Sequence, residues 1–124
     1  MALQESGEMY VEAIYVLSQT SSTVRSIDVG EYLGYSKPSV SRAIGVLKKE
    51  GLVETDDSGF LKLTKEGKLL GKHIYERHTV LTQVLINLGV DEKTASEDAC
   101  RIEHYISDKT FNAIKKHIKK YGSK

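Results

Sequence analysis

Residues 26–50 read SIDVGEYLGYSKPSVSRAIGVLKKE, and the fold is decided there. Ser26 predicts the cap of a short helix reaching Leu33, with Asp28 in its first turn, where a carboxylate suits the positive end of the helix dipole. Gly34 can close that helix in a left-handed conformation. Tyr35 and Ser36 form the turn. Ser36 predicts a second cap, and Pro38 falls in the first turn of the next helix, where a missing N–H is harmless. That helix is predicted to run to Glu50. Val40, Ala43, Ile44 and Leu47 recur on its buried face, and Ser39, Ser41, Arg42, Gly45 and Lys49 are left outward.

Two β-type segments follow at 52–55 and 60–63, joined by the turn-forming run Asp56-Asp57-Ser58-Gly59. Upstream, residues 8–19 carry Met9, Tyr10, Ala13, Ile14, Val16 and Leu17 at helical spacing, and Ser21, Ser22 and Thr23 make a polar turn. Helix, short helix, tight turn, basic helix and hairpin is the order of a winged helix-turn-helix unit. Downstream, Thr64 can cap a long helix over 65–88, with Leu69, Leu70, Ile74, Leu81, Val84 and Leu85 on its apolar face. Gly89 ends it, and Asp91 can cap a helix over 92–106. A last helix over 108–121 carries Phe111, Ile114, Ile118 and Tyr121 as one stripe, suited to the long helix or to a partner chain. The expected fold class is mainly α: a winged helix-turn-helix domain over 1–64 and a helical domain over 65–124.

Bulk properties narrow the function classes. The chain has 124 residues, 40% hydrophobic and 28% charged, as ordered globular proteins do. There is no apolar run long enough for a membrane span, and residues 1–10 lack the basic flank and apolar stretch of a signal peptide. A cytoplasmic location is expected, and the single cysteine fits a reducing compartment. Net charge is only +1, and residues 1–63 hold six Lys or Arg against nine Asp or Glu. Residues 36–50 reverse that balance, with Lys37, Arg42, Lys48 and Lys49 against Glu50 alone. A local basic face on an acidic unit is a nucleic-acid footprint when it falls on a recognition helix. No glycine-rich phosphate loop or nucleophile elbow is present, so neither an enzyme nor a small-molecule substrate is expected.

A recognition helix reads base edges with its N-terminal residues. Here these are Ser36, Lys37, Pro38, Ser39, Ser41 and Arg42. Arg42 can pair with guanine O6 and N7 or reach a phosphate, and Pro38 can press on a thymine methyl. Lys48, Lys49 and the wing residue Lys62 suit phosphates, which supply affinity without sequence information. Double-stranded DNA is the expected partner; a helix pair serving protein contacts is the alternative.

Cys100, Glu103 and His104 stand at i, i+3 and i+4, which places a thiolate, a carboxylate and an imidazole on one helix face. All three bind transition metals. Each also has a plainer use, the cysteine in a core and the Glu-His pair on a surface. Met9 and Glu12 share a face of the first helix, and His78, next to Arg77, lies on the long helix. Together these residues offer soft and hard ligands from three helices.

The motifs EMYVEAIY at 8–15, SKPSVS at 36–41, LTKEG at 63–67, Arg77-His78 and CRIEH at 100–104 occur in the order found in one family. The chain resembles the diphtheria toxin repressor and manganese transport regulator family across almost its whole length. The resemblance implies a homodimeric, metal-activated repressor that binds inverted-repeat operators and controls metal uptake. Met9, Cys100, Glu103 and His104 match the activating ligands of the iron-type members. Glu12 and His78 match ligands of the manganese-type members, which have carboxylates where this chain has Met9 and Cys100. Two sulfur ligands favour Fe²⁺ over Mn²⁺, with Co²⁺, Ni²⁺ or Zn²⁺ acting in vitro. The ancillary site of iron-type members falls on His78, Thr82 and Ser96, where the last two are poor ligands. The SH3-like domain of longer members has no counterpart in the sequence. A metal-independent or redox-responsive winged-helix regulator, with Cys100 in the core or as the switch, is the rival reading.

Overall fold

The computed structural model describes residues 5–121. Among them run α1 (Glu5–Ser18), α2 (Ser26–Leu33), α3 (Lys37–Lys49), β1 (Val53–Thr55), β2 (Leu61–Leu63), α4 (Lys65–Asn87), α5 (Glu92–Ile102) and α6 (Asp108–Tyr121). The chain forms two compact units, Met1–His73 and Ile74–Lys124. No helix among the described residues is long and apolar enough to cross a membrane.

In the first unit α1 buries Tyr10, Val11, Ala13 and Ile14 in one core with Val29 of α2, Val40, Ile44 and Leu47 of α3, and Val53, Leu61 and Leu63 of the hairpin. The helix-turn-helix forms much as its sequence dictates. Gly34 adopts φ 76° and its N–H donates to the Gly30 carbonyl (2.8 Å). The Ser36 hydroxyl accepts from the Ser39 N–H (3.3 Å), with Pro38 in the first turn. One cap differs. Ser26 is the first helical residue of α2 and Arg25 takes the cap position in extended backbone. The Asp28 carboxylate compensates by accepting the Arg25 N–H (2.9 Å), a reach back from the third helical position that leaves Ser26 no capping role.

The wing is antiparallel, pairing Val53 with Leu63 and Thr55 with Leu61. Asp56 accepts the N–H groups of Ser58 and Phe60 at its tip, and Gly59 takes φ 86°. Its base is closed by Thr64. The Thr64 N–H donates to the Leu52 carbonyl (3.0 Å), and its hydroxyl donates to the Gly51 carbonyl (2.6 Å). The same oxygen accepts from the Gly67 N–H (3.0 Å) and so caps α4. A side chain at Gly67 would run into the Leu52 carbonyl oxygen, which explains the glycine there. Leu69, expected on the apolar face of α4, is 63% exposed. It lies about 100° around the helix from Leu70, which packs on the first unit's core.

In the second unit Leu81, Ala99 and Phe111 are buried together, with Val80, Ile106 and Ile114 packed against them. Asp91 caps α5 by accepting the Thr94 N–H (3.0 Å). Helix α5 ends at Ile102 and not near 106, and its last carbonyl, that of Ile102, accepts the N–H groups of both Tyr105 and Ile106. Arg77 is buried and its Nη1 donates to the carbonyls of Glu103 (3.1 Å) and Ile106 (2.7 Å). Its Nη2 meets Asp108, and its guanidinium lies 5.4 Å over the Phe111 ring. The Glu103 and Ile106 carbonyls of the turn after α5 are thus held by a side chain. Residues 103–105 turn, and Ser107 caps α6 through the Thr110 N–H (3.1 Å).

Candidate metal centre and nucleic-acid interface

Glu103 closes α5, and its carboxylate is fully buried. Its Oε1 lies 2.9 Å from His78 Nδ1 and its Oε2 lies 3.3 Å from His104 Nε2. The His104 side chain is 1% exposed and that of His78 is 23% exposed. Glu103 and His104 were expected on one helix face with Cys100. Instead Cys100 lies within α5, Glu103 caps it and His104 sits in the turn beyond. The face survives in part because Glu103 keeps helical backbone angles. His78 joins from α4, a meeting that spacing along α5 could not show. Cys100 is half-buried one turn before Glu103.

The two poorer ligand positions behave differently. The Thr82 hydroxyl donates to the His78 carbonyl (2.7 Å) and is occupied with backbone. The Ser96 hydroxyl lies 3.5 Å from His78 Nε2 and faces the ring. Arg77 is the residue that local reading undervalued. It stands three residues after Ile74 and four before Leu81, both buried. A charged side chain at a stripe position was the available signal that it holds something inside.

In the first unit Ser36, Lys37, Pro38, Ser41, Arg42, Lys48 and Lys49 are exposed on and around α3. Ser39 is half-buried, and its hydroxyl accepts from that of Ser36 (2.9 Å). Lys62 is half-buried with its ammonium on the Ser22 carbonyl (3.0 Å). Met9 and Glu12 are half-buried on α1. Met9 Sδ accepts from the Tyr35 hydroxyl (3.8 Å), and the Tyr35 ring lies 5.8 Å from that of Tyr10. Burial pushes the Tyr10 phenol up from its ordinary value; Tyr35 adds to the rise and Arg42 opposes it.

Comparison with known proteins fits this layout. Residues 2–59 match the profile described as iron dependent repressor, N-terminal DNA binding domain. Residues 64–123 match that described as iron dependent repressor, metal binding and dimerisation domain. The transcriptional regulator MntR of Escherichia coli O6:H1 is 34% identical over 115 residues, 93% of this chain and 74% of that protein. The chain belongs to the iron-dependent repressor family. The diphtheria toxin repressor of Corynebacterium diphtheriae is 29% identical over 118 residues, covering 94% of this chain and 52% of its own length. A solved structure of the manganese regulator SloR superimposes with TM-score 0.83 at 28% identity, over 96% of this chain and 55% of that one. The chain therefore spans about half the length of these last two relatives.

For a member of the iron-dependent repressor family, the buried Glu103 is the test of fit. A carboxylate out of water is costly unless a positive charge faces it. Two imidazoles converge on it, and a divalent cation shared with the carboxylate would supply that charge. The carboxylate and the His104 imidazole at 3.3 Å offer oxygen and nitrogen donors suited to divalent Mn, Fe, Co, Ni or Zn. The residues fit a metal of that class.

Proposed function

We propose that this chain is a metal-dependent transcriptional repressor acting as a homodimer on double-stranded DNA, with residues 1–64 reading an inverted-repeat operator and 65–124 serving metal binding and dimerisation. The observation that carries it is the buried Glu103 carboxylate flanked by His78 and His104 (2.9 and 3.3 Å) in a chain of this family. The proposed ligands are Met9, Cys100, Glu103 and His104, with Glu12 and His78 as further ligands or as partners that orient them. The bound ion supplies a positive centre that rewards one ordered arrangement of its ligands over the many arrangements of the free chain.

The DNA contacts proposed are those of α3 and the wing. Lys37, Ser41 and Arg42 project from an exposed face and are the base-reading candidates with Ser36, Pro38 and Ser39. Lys48 and Lys49 are phosphate contacts. Lys62 reaches phosphate only by leaving the Ser22 carbonyl. In a two-fold dimer the separation of the two α3 helices must match half-sites roughly 34 Å apart. Restricting the chain to a matching arrangement is a population shift, limited by the difference in metal affinity between arrangements.

The choice of metal follows from the sulfur donors. Met9 and Cys100 favour Fe²⁺ over Mn²⁺, whereas SloR is described as a manganese regulator. The genes controlled are proposed to be those of metal uptake. Anaerobic fluorescence anisotropy tests the reading, with operator candidates from upstream of metal-transport genes. Binding should be tight with Fe²⁺ or Mn²⁺, weak with chelator and weak in His104→Ala under all conditions. Equal affinity with metal and with chelator would overturn it.

A further inference from the structure

Tyr35 touches two features that the proposed function requires to communicate. It stands in the turn between α2 and α3, adjacent to Ser36, whose hydroxyl caps α3. Its ring packs on Tyr10 of α1 at 5.8 Å between centroids. Its hydroxyl donates to Met9 Sδ at 3.8 Å. Methionine is long, unbranched and adaptable, so an unrestrained thioether near a metal samples many unproductive rotamers. A donor fixed by ring packing selects among them. A thioether sulfur has two lone pairs, so a hydrogen bond on one leaves the other for a cation.

We propose that Tyr35 is the positioning residue of Met9, orienting its sulfur for the metal and linking that sulfur to the N-terminus of the recognition helix. The inference rests on ligation by Met9. It adds a route that lies entirely within the first unit: sulfur, phenol hydroxyl, turn, Ser36 cap. With one lone pair on the phenol hydroxyl and the other on the cation, a metal-held Met9 holds Tyr35 in turn, and the turn that sets the start of α3 feels the restraint. No spacing rule predicts this pairing, because Met9 and Tyr35 are 26 residues apart.

The test uses the full chain and four proteins: wild type, Tyr35→Phe, Met9→Leu and the double variant. Tyr35→Phe keeps the ring against Tyr10 and removes only the hydroxyl. Co²⁺ affinity is read by absorbance. The Met9 methyl resonance is read by NMR with and without Zn²⁺ after ¹³C-methyl labelling, the chain having only two methionines. Tyr35→Phe should weaken Co²⁺ roughly three- to tenfold, the span of one modest hydrogen bond, and alter the Zn²⁺-induced shift of the Met9 methyl. In the Met9→Leu background the same substitution should change affinity by less than about twofold, because coupled residues do not add. If Met9→Leu weakens Co²⁺ and Tyr35→Phe does not, Tyr35 only packs the turn and the inference is overturned. An equal loss in both backgrounds also overturns it. Unchanged affinity in Met9→Leu would remove Met9 from the ligand set, and the inference with it, while leaving Glu103 and His104 to be judged by their own variants.

Discussion

The Arg77 guanidinium holds the backbone carbonyl of Glu103 at 3.1 Å, while the side chain of the same glutamate meets His78 at 2.9 Å. Two neighbours on α4 thus fix one residue of the following turn, Arg77 by its main chain and His78 by its carboxylate. Hydrogen bonds from a charged donor to buried carbonyls are each worth about 1.5–3 kcal/mol. Arg77→Met should therefore destabilise the fold by roughly 3 kcal/mol in urea unfolding. Asp108→Asn should lose less than about 1 kcal/mol, because the Asp108 side chain is 74% exposed and its pair is screened by water. Similar losses in the two variants would mean that the ion pair, not the grip on the carbonyls, anchors the turn.

Glu103→Gln separates folding from metal response. Glutamine keeps the shape and removes the buried charge, so metal-free stability should change by less than about 1 kcal/mol. The wild-type protein should gain about 2.7 kcal/mol when metal stands at about 100 times its Kd. The variant should gain less than about 1 kcal/mol under the same conditions, a difference that calorimetry with and without metal resolves. An undiminished gain would place the metal elsewhere.

Arg42→Ala should weaken operator binding by about 1–3 kcal/mol and relax base preference at one position. Co²⁺ affinity should remain as in wild type, since Arg42 belongs to the exposed face of α3. Lys48→Ala should act differently: affinity for all sequences falls together, and the dependence of log K on log salt becomes shallower by about one. Loss of Co²⁺ affinity in Arg42→Ala would make that residue a support of the fold.

Asp91 gives α5 an acid-sensitive cap. The backbone N–H of Thr94 holds its carboxyl below the ordinary aspartate value. A group whose pKa is lower folded than unfolded stabilises above the unfolded value, and its contribution disappears as pH falls through the folded one. The stabilisation should thus be intact at neutral pH and lost below about pH 4. Asp91→Asn keeps a capping oxygen and removes the titration. The urea midpoint of wild type should drop more between pH 6 and pH 3 than that of the variant; equal drops would refute the assignment.

Much of this could be read from local chemistry. Gly34, Ser36, Pro38, Asp91 and Gly89 mark helix ends that depend on a few adjacent residues, and each acts where its chemistry places it. The grip of Arg77 on the turn after α5 was hidden because its carbonyl partner, Glu103, is 26 residues further on. Leu69 misled for the opposite reason: it belongs to an apolar run, yet neighbouring helical positions point in different directions. The Glu103–His104 pairing was visible as adjacency, and His78 was visible only as a candidate. Their convergence required the packing of α4 against the turn, which periodicity does not encode.

The Thr64 hydroxyl, which bonds the Gly51 carbonyl and the Gly67 N–H at once, makes the hairpin between α3 and α4 a cassette with a locked hinge plate. Residues 56–59 at its tip stand five residues from that closure on either side and take no part in it, so their length and sequence can be exchanged with the base still clamped. The wing tip can therefore be re-engineered, or drift in evolution, independently of the helices that carry the rest of the molecule.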